Sequence, residues 1–243
     1  MKRIVNTLYI LVILCLGIWV WKKEQGPKPR VKAPTTRYHG YELNREAIER
    51  TKMFTVLISL EGFGTKYRGT GMLIDPTHVL TADHMVPTNG NEMWLYIFPG
   101  RRIVHAKPVF ENAAQDLAIL ELDEKVEMAH YAVFQEMHYN GEPITIVGNI
   151  LGSMHWYVSY GIISGEWDDF ILMDGTMTHG DSGGPWINEA GEVVGLSDWG
   201  LSDTEPASAV KGGVSAKTIH VFLKRWKSPN MGDLMQMILG GGK

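Results

Sequence analysis

Short apolar runs separated by turn residues dominate the chain between residues 53 and 216, with Gly, Pro, Asn and Asp between them. Candidate strands of this kind are 53–60, 69–74, 92–98, 102–110 and 116–122, and then 143–148, 156–163, 170–174, 191–197 and 212–216. Many short strands between turn signals predict an all-β fold, either a sandwich or a barrel. The gap at 123–142 divides them into two groups, which predicts two small barrels at about 53–122 and 141–216.

Helical spacing of apolar residues is rare in this part of the chain. A short helical pattern occupies residues 43–51, and a short C-terminal helix is predicted around 217–226. In the strand that follows Asp116, period-two spacing places alternate residues on opposite faces. One face is predicted to be the core side, and we expect Leu117 and Ile119, on the other face, to be only partly buried.

The longest apolar run, IVNTLYILVILCLGIWVW, occupies residues 4–21 and has Lys or Arg on both sides. Eighteen residues at about 1.5 Å each extend about 27 Å, which is enough for the hydrocarbon core of a bilayer. Trp19 and Trp21 suit the membrane interface. No small-residue cleavage site follows, so the sequence predicts an uncleaved single-pass transmembrane helix within residues 1–23. The alternative is a signal peptide with a cryptic cleavage site.

Charge is unevenly distributed along the chain. The formal net charge is −4, but residues 1–37 carry +7, which leaves −11 on the remainder. An acidic body argues against a nucleic-acid partner, which requires a basic surface. Basic residues are more numerous after the apolar run than before it, so the positive-inside rule favours the cytoplasmic side for the body. A long domain can cross the membrane regardless of this bias.

The remaining segments complete the predicted organisation. Residues 24–41 are proline-rich and basic and predict a semi-extended linker, 42–227 form the folded domain, and 228–243 form a tail. The tail has a helical apolar stripe that we expect to pack on a barrel; the alternatives are that it mediates assembly or occupies the active-site groove. The single cysteine, Cys15, excludes an intrachain disulfide. The nine histidines show no metal-ligand spacing, so no metal or other cofactor is predicted. The oligomeric state is left open.

Ser182 lies in the segment THGDSGGPWIN (178–188) among three glycines. A serine hydroxyl becomes a nucleophile when a base accepts its proton and a third group orients that base. Acyl transfer also needs backbone N–H donors for the developing oxyanion. Gly180 lets the backbone turn so that its N–H and that of Ser182 can point the same way. The alternative is a serine that serves only as part of a turn.

A base and an orienting acid are both present upstream. His84 follows an apolar strand end in HVLTADHMV, and Asp116 opens the apolar run of QDLAILELD. We expect His84 to be the general base and Asp116 to be the acid that orients it. The alternatives are an ordinary loop histidine and a carboxylate that caps a strand.

The order His84, Asp116, Ser182, with LTADH, DLAIL and GDSGGP as landmarks, resembles that of trypsin/chymotrypsin-type serine proteases. GTGMLIDPTHVLTADHMV and ITIVGNILGSMHWYVSYGIISG extend the resemblance, the latter to the disulfide-free Deg-type (high-temperature-requirement) branch. The resemblance covers about residues 45–226. It implies two six-stranded antiparallel β-barrels with the active site between them, and a serine endopeptidase acting on proteins or peptides. That branch usually carries a PDZ domain, which we do not expect after residue 226.

The resemblance also implies a primary specificity pocket with Thr176 at its floor. The other residues that it places in or near this pocket are Thr178, His179, Trp199, Gly200, Val214 and Ala216. Without an acid at position 176, a preference for Arg or Lys would bury an unpaired cation. We therefore expect a preference for small or apolar residues. The alternative for His179 is a solvated loop histidine.

Three acids have roles that the sequence leaves open. Asp83 either raises the pKa of His84 or points away from it. Asp198 lies where many relatives have a serine that contacts the triad aspartate, unless the alignment shifts by one and Ser197 takes that place. Asp181 needs a partner, because no stretch suited to forming a new N-terminus by cleavage precedes the first strand.

Two other functions remain as alternatives. The first is a catalytically silent protease-fold module that binds extended peptides by strand addition. The second is an esterase with the same three residues. The esterase is disfavoured because its serine usually lies in G-x-S-x-G and its histidine comes last, whereas here the histidine comes first.

Overall fold

The computed structural model of this 243-residue chain describes residues 36–38, 41–59, 68–87, 93–98, 102–149, 156–200 and 210–229. Its strands are β1 (Thr36–Tyr38), β2 (Tyr41–Leu43), β3 (Thr55–Ser59), β4 (Arg68–Asp75), β5 (His78–Thr81), β6 (Met93–Ile97), β7 (Arg102–Asn112), β8 (Leu117–Leu122), β9 (Pro143–Asn149), β10 (Trp156–Trp167), β11 (Phe170–Gly175), β12 (Pro185–Ile187), β13 (Val193–Gly200) and β14 (Val210–Ser215). Its helices are α1 (Arg45–Phe54) and α2 (Ala216–Lys227), and a 3₁₀ turn spans Asp83–Met85.

The strands form two closed six-stranded barrels in which all pairs are antiparallel. The first barrel has the order β3-β4-β5-β8-β7-β6, and the second has the order β10-β11-β14-β13-β12-β9. Closure leaves no unpaired sheet edge in either barrel. The predicted all-β fold of two six-stranded barrels with a short C-terminal helix is confirmed.

The strand β8 is covered on both of its faces. Leu117 and Ile119 are fully buried, in the same apolar cluster as Phe222 of α2. The ring of Phe222 lies 5.0 Å from that of Phe110 on β7, so α2 packs against the first barrel. The expectation that Leu117 and Ile119 would be only partly buried is therefore wrong. Strand alternation does not reveal that another element covers the outer face.

The helix α1 connects the start of the domain to the second barrel. The Asn44 side chain caps it by accepting a hydrogen bond from the Ala47 N–H at 3.1 Å. The Asn44 amide also donates to the carbonyl of Glu189, and the Arg50 guanidinium donates to that of Ala190. This cap explains why the helix begins at Arg45.

The connection between the barrels, residues 123–142, is bonded to both of them. The Ala132 N–H donates to the carbonyl of Leu73 on β4, at 2.9 Å. On the other side, Val193 of β13 donates to the Val133 carbonyl at 2.7 Å and accepts from Gln135 at 2.9 Å. These backbone bonds fix how the two barrels dock, and the docking determines the geometry of the crevice between them.

Some boundaries differ from the prediction. The three-residue strand β12 is too short to show a period, and the end of the predicted 24–41 linker contains β1, which pairs with β2. Within the part of the chain that the structure describes, no helix is long and apolar enough to cross a membrane. The predicted span at 4–21 and most of the predicted tail, 230–243, lie outside the described residues.

Candidate active site

His84 lies in the 3₁₀ turn that directly follows β5. The turn closes with hydrogen bonds from Met85 N–H to the Ala82 carbonyl at 3.1 Å and from Val86 N–H to the Asp83 carbonyl at 2.8 Å. The Met85 side chain is buried, which anchors the turn in the first barrel. The His84 side chain is 45% exposed, so its ring projects from the barrel towards solvent.

Asp116 lies in the turn between β7 and β8. Because β5 and β8 are antiparallel, with Thr81 opposite Ala118, the residue before β8 lies beside the residues after β5. Asp116 has a φ of +50°, a left-handed conformation that is uncommon for a residue other than glycine. Such backbone strain costs about 1–3 kcal/mol and is concentrated at functional sites.

His84 and Asp116 are joined by two hydrogen bonds. Asp116 Oδ2 lies 2.6 Å from His84 Nδ1, and Asp116 Oδ1 accepts from the His84 backbone N–H at 2.8 Å. The hydrogen bond with Asp116 raises the pKa of His84 against the opposing effect of burial, and the charges of Asp116 and Asp83 add to the rise. Asp83 therefore acts on His84 through its charge, one of the two outcomes left open by the sequence.

The pKa of Asp116 moves in the opposite direction. Burial works against ionisation of this carboxyl, but hydrogen bonds from His84 and Asp198 outweigh burial and hold the pKa of Asp116 below its ordinary value. Asp116 is therefore an anion at neutral pH. Because Nδ1 of His84 is paired with Asp116, Nε2 of the neutral His84 ring is the nitrogen that can accept a proton.

Ser182 lies in a tight loop between β11 and β12. Gly180 has a φ of +103° and Gly183 a φ of +82°, conformations that favour glycine. A side chain at Gly183 would collide with the Thr70 carbonyl and the Thr81 hydroxyl of the first barrel. Gly183 thus allows the loop that carries Ser182 to approach the end of β5, three residues before His84. The Ser182 side chain is half-buried.

The backbone N–H groups of this loop divide into two sets. The Gly183 N–H donates to the Ser197 carbonyl at 2.8 Å, and the Gly184 N–H donates to the Asp181 carbonyl at 2.7 Å. Within the described part of the chain, the N–H groups of Gly180 and Ser182 donate no hydrogen bond. Buried N–H groups are almost always paired, so two unpaired donors in one tight loop can receive an external acceptor.

Thr70 on β4 holds this loop from the opposite barrel, and sequence reasoning missed it. Its hydroxyl donates to the Gly180 carbonyl at 2.6 Å and accepts from the Asn149 N–H at 3.2 Å. Its own N–H donates to the Ser182 carbonyl at 2.8 Å. The signal in the sequence was a lone threonine between two glycines in GTGMLI, but its partners could be found only from the docked barrels.

Asp181 is fully buried beneath the loop, and its partner is local. Its Oδ2 accepts from the Thr178 backbone N–H at 2.8 Å, while its Oδ1, buried beside Gly148, has no hydrogen-bond partner among the described residues. Burial raises the pKa of Asp181 to about 6, in opposition to the Thr178 hydrogen bond. The partner that the sequence left open is therefore a backbone N–H four positions before Ser182.

Asp198 on β13 completes the group around Asp116. Its side chain is only 8% exposed, its Oδ1 lies 4.0 Å from His84 Nδ1, and carboxylate oxygens of Asp198 and Asp116 lie within 4.8 Å of each other. Burial raises the pKa of Asp198 to about 8, and hydrogen bonding to Asp116 and the charge of Asp116 add to the rise. Ser197 instead accepts a hydrogen bond from the Trp186 indole, so Asp198 is the residue that faces Asp116.

The residues predicted for a specificity pocket are only partly brought together. Thr176 and His179 are exposed, Thr178 is half-buried, and Trp199 and Gly200 end β13 opposite Gly212 and Lys211. Val214 and Ala216 are fully buried, and Val214 belongs to the apolar cluster under α2. These two residues present no surface to a substrate, because strand alternation and the start of α2 turn them into the core.

A model of the trypsin-like peptidase domain matches residues 69–196 of this chain. The chain belongs to this family. The matched residues include His84, Asp116 and Ser182, together with the loop that carries Ser182.

Individual relatives agree with this assignment. The chain is 28% identical over 167 residues to the "Probable periplasmic serine endoprotease DegP-like" of Rhizobium meliloti, covering 61% of this chain and 33% of that protein. It is 28% identical to the "Serine protease Do-like HtrA" of Lactobacillus helveticus, covering 63% and 38% respectively. The chain therefore spans less than two fifths of the length of either relative. The resemblance to this branch of serine proteases is confirmed.

A solved structure supports the fold of the trypsin-like domain. The serine endoprotease from Yersinia pestis matches with a TM-score of 0.65 at 20% identity, over 80% of this chain and 67% of that one. At this identity the match establishes the shared two-barrel fold, and residue roles have to come from the geometry of this chain.

Proposed function

We propose that this chain is a serine endopeptidase that hydrolyses peptide bonds through Ser182, His84 and Asp116. Ser182 is the nucleophile, His84 is the general base and then the general acid, and Asp116 orients His84. The observation that carries the proposal is the pair of hydrogen bonds between His84 and Asp116, at 2.6 and 2.8 Å, beside the loop of Ser182. An ordinary loop histidine or a carboxylate that caps a strand would not require both of these hydrogen bonds.

The proposed reaction proceeds in two stages. The Ser182 hydroxyl oxygen bonds to the peptide carbonyl carbon, and its proton passes to Nε2 of His84. The C–N bond then breaks, and the amine leaves with that proton. Water attacks the resulting acyl-enzyme ester, His84 accepts the water proton, and the acid product leaves as the proton returns to Ser182. Asp116 stays ionised and stabilises the imidazolium throughout.

The oxyanion formed in both stages is bound, in this proposal, by the N–H groups of Gly180 and Ser182. Support comes from the unpaired state of both N–H groups in the described part of the chain and from the left-handed conformation of Gly180. Donors of this kind each contribute roughly 3–4 kcal/mol to transition-state stabilisation in known enzymes. Gly180 is held in place by the Thr70 hydroxyl.

Hydrolysis of an unfolded protein by the full-length chain tests this function. We expect peptide products from the wild type and none from Ser182→Ala, with both proteins folded. If neither protein cleaves and both bind the unfolded chain equally, the silent peptide-binding module is the correct function.

Cleavage of a peptide library measures which residue is preferred immediately before the cleaved bond. We expect a preference for small or apolar residues at that position. A preference for Arg or Lys would contradict the role assigned to Thr176.

We further propose that residues 4–21 anchor the protease in a membrane as a single span, near substrates that are membrane-associated proteins. The length and apolarity of this run support the anchor. The charge bias favours a cytoplasmic domain, and one relative is named periplasmic. Protease treatment of sealed vesicles decides the side, and release of the intact chain by alkaline carbonate would contradict the anchor.

A further inference from the structure

Asp198 is an acid of the second barrel that lies next to His84 and Asp116 of the first barrel. It lies on β13 beside an irregularity in the pairing with β14, between Ser197 and Trp199. Its Oδ1 lies 4.0 Å from His84 Nδ1, and carboxylate oxygens of Asp198 and Asp116 lie within 4.8 Å of each other. Asp116 therefore has His84 on one side and Asp198 on the other.

Two mostly buried carboxyl groups this close together are most stable when they share one proton in a hydrogen bond. An ionised carboxylate has no hydrogen to donate, so either Asp116 or Asp198 must be neutral. Asp116 already accepts from the backbone N–H of His84 and pairs with its ring, and both interactions favour its anion. The Asp198 side chain is less exposed than that of Asp116, 8% against 18%. The proton therefore resides on Asp198.

The charged neighbours of Asp198 support this assignment. Among the described residues, the titratable groups that face it are Asp116, at the start of β8, and His84, in the 3₁₀ turn. Asp83 acts on His84. Two ionised carboxylates in contact repel each other, as in sites where two acids share one proton.

We propose that Asp198 is a positioning residue whose proton controls the catalytic pair. While protonated, Asp198 donates to Asp116 and holds that carboxylate against His84. When the proton is lost, repulsion between the two carboxylates displaces Asp116 and weakens its bond to His84. This inference rests on the proposed function, because it concerns the activity of the same three residues.

The inference predicts an alkaline limit to activity. Because the pKa of Asp198 is raised to about 8, the proton is present at neutral pH and is lost as the pH rises through that value. The rate should rise with pH as His84 loses its proton and fall again as Asp198 does, which gives a bell-shaped profile. A neutral donor at position 198 would act at every pH, so its profile should have no alkaline fall.

The test measures the second-order rate constant for labelling of Ser182 by a fluorophosphonate from pH 5.5 to 9.5. For the wild type we expect about a tenfold fall between pH 8 and pH 9.5. Asp198→Asn, which keeps a donor, should label at neutral pH within about threefold of wild type and show no such fall. Asp198→Ala should be slower than Asp198→Asn at every pH.

Each other outcome has a distinct meaning. A wild-type rate that stays level to pH 9.5, or an equal alkaline fall in Asp198→Asn, would overturn the inference. An Asp198→Asn protein as slow as Asp198→Ala would also overturn it, because a donor would then not be what matters. Absence of labelling in the folded wild type at every pH would contradict the proposed function itself. Carboxyl ¹³C shifts of Asp198 in the Ser182→Ala protein report the same proton directly, and a carboxylate signal at pH 7 would contradict the inference.

Discussion

The two barrels shift the pKa values of their aspartates in opposite directions. In the first barrel, Asp116 is bonded to two groups of His84, and its pKa is lowered despite burial. In the second barrel, burial is the largest influence on Asp181 and Asp198, and their pKa values rise to about 6 and about 8. The comparison shows that the available donors, more than depth alone, decide whether the pKa of a buried acid falls or rises.

The groups of the proposed mechanism are divided between the two barrels. The first barrel supplies the ionised acid Asp116 and the proposed base, His84. The second supplies the proposed nucleophile, the N–H groups proposed to bind the oxyanion, and Asp198. Of the two second-barrel acids, Asp198 keeps its proton at pH 7, whereas Asp181, with a pKa of about 6, is mostly ionised there. The predictions below alter one side of this comparison at a time.

The largest effect is expected from neutralising the first-barrel acid. Asp116→Asn keeps the size of the side chain but removes its charge, so it no longer stabilises the imidazolium or selects the required tautomer of His84. In enzymes with the same triad, such changes lower turnover by about 10⁴-fold. We expect the labelling rate of Ser182 to fall by about 10³–10⁴-fold at pH 7.5.

Asp168→Asn is the matched control for this change. Asp168 also has a positive φ, +52°, but it lies exposed in the turn between β10 and β11. Its neutralisation should leave the labelling rate unchanged. A fall of less than tenfold in Asp116→Asn would mean that Asp116 does not serve as the orienting acid.

The next effect comes from the contact between the barrels at Thr70. Thr70→Val removes the hydroxyl that donates to the Gly180 carbonyl and leaves that carbonyl buried without a donor. We expect a loss of about 1–3 kcal/mol in the free energy of unfolding. We also expect a labelling rate at least about tenfold lower, because the proposed oxyanion donor is displaced. Thr70→Ser keeps the hydroxyl and should recover most of the rate.

Thr55→Val separates stability from activity in this test. Thr55 is also a buried first-barrel threonine, and its hydroxyl donates at 2.7 Å to the Thr51 carbonyl at the end of α1. Thr55→Val should lower the free energy of unfolding without lowering the labelling rate of Ser182. Equal rate losses in Thr70→Val and Thr55→Val would show that Thr70 has no specific effect on the nucleophile loop.

A smaller effect is expected on stability from the second-barrel acid Asp181. Its pKa is raised to about 6, so the folded chain retains a proton that the unfolded chain loses near pH 4. The associated stability is present below about pH 4 and is lost as the pH rises through about 6. Asp181→Asn keeps an acceptor for Thr178 and does not titrate. Between pH 4.5 and pH 7, the free energy of unfolding should fall by about 2 kcal/mol more in the wild type than in Asp181→Asn.

Denaturant unfolding of the two proteins at both pH values measures this difference. Groups that titrate identically in the two proteins, including Asp116, cancel in the comparison. Parallel dependence on pH in wild type and Asp181→Asn would contradict the assignment of a retained proton to Asp181.

The smallest effect is expected from Asp83, whose charge contributes least to the raised pKa of His84. Asp83→Asn should lower the pKa of His84 slightly, so the base form would appear at a slightly lower pH. The acid limb of the labelling profile should move to lower pH while the plateau rate stays unchanged. A shift to higher pH would mean that Asp83 does not act on His84 through its charge.

The sequence predicted the parts of this molecule that depend on local pattern. Short apolar runs and turn residues indicated two groups of strands, the family resemblance implied two six-stranded barrels, and the order of the three landmarks singled out His84, Asp116 and Ser182. The strand β12 was missed because three residues are too few to show a period. The burial of Leu117 and Ile119 was missed because it depends on an apolar cluster with residues from distant parts of the chain, such as Val214 of β14 and Phe222 of α2.

The site also contains features that depend on how the barrels dock. The partners of the Thr70 hydroxyl and N–H are 79 to 112 positions away in sequence, so no local pattern reveals them. The choice between Ser197 and Asp198 depended on an irregularity in β13, which breaks simple alternation. The resemblance placed Val214 and Ala216 in the pocket, but Val214 on β14 and Ala216 at the start of α2 are both buried in the core.

The most direct test of the central claim is to locate the adduct of a fluorophosphonate on the intact protein by mass spectrometry and peptide mapping. We predict one adduct per chain, on Ser182, formed rapidly by the wild type, very slowly by Asp116→Asn and not at all by Ser182→Ala. A folded wild-type protein that gains no adduct, or an adduct on another serine that persists in Ser182→Ala, would contradict the claim that Ser182 is a nucleophile activated by His84 and Asp116.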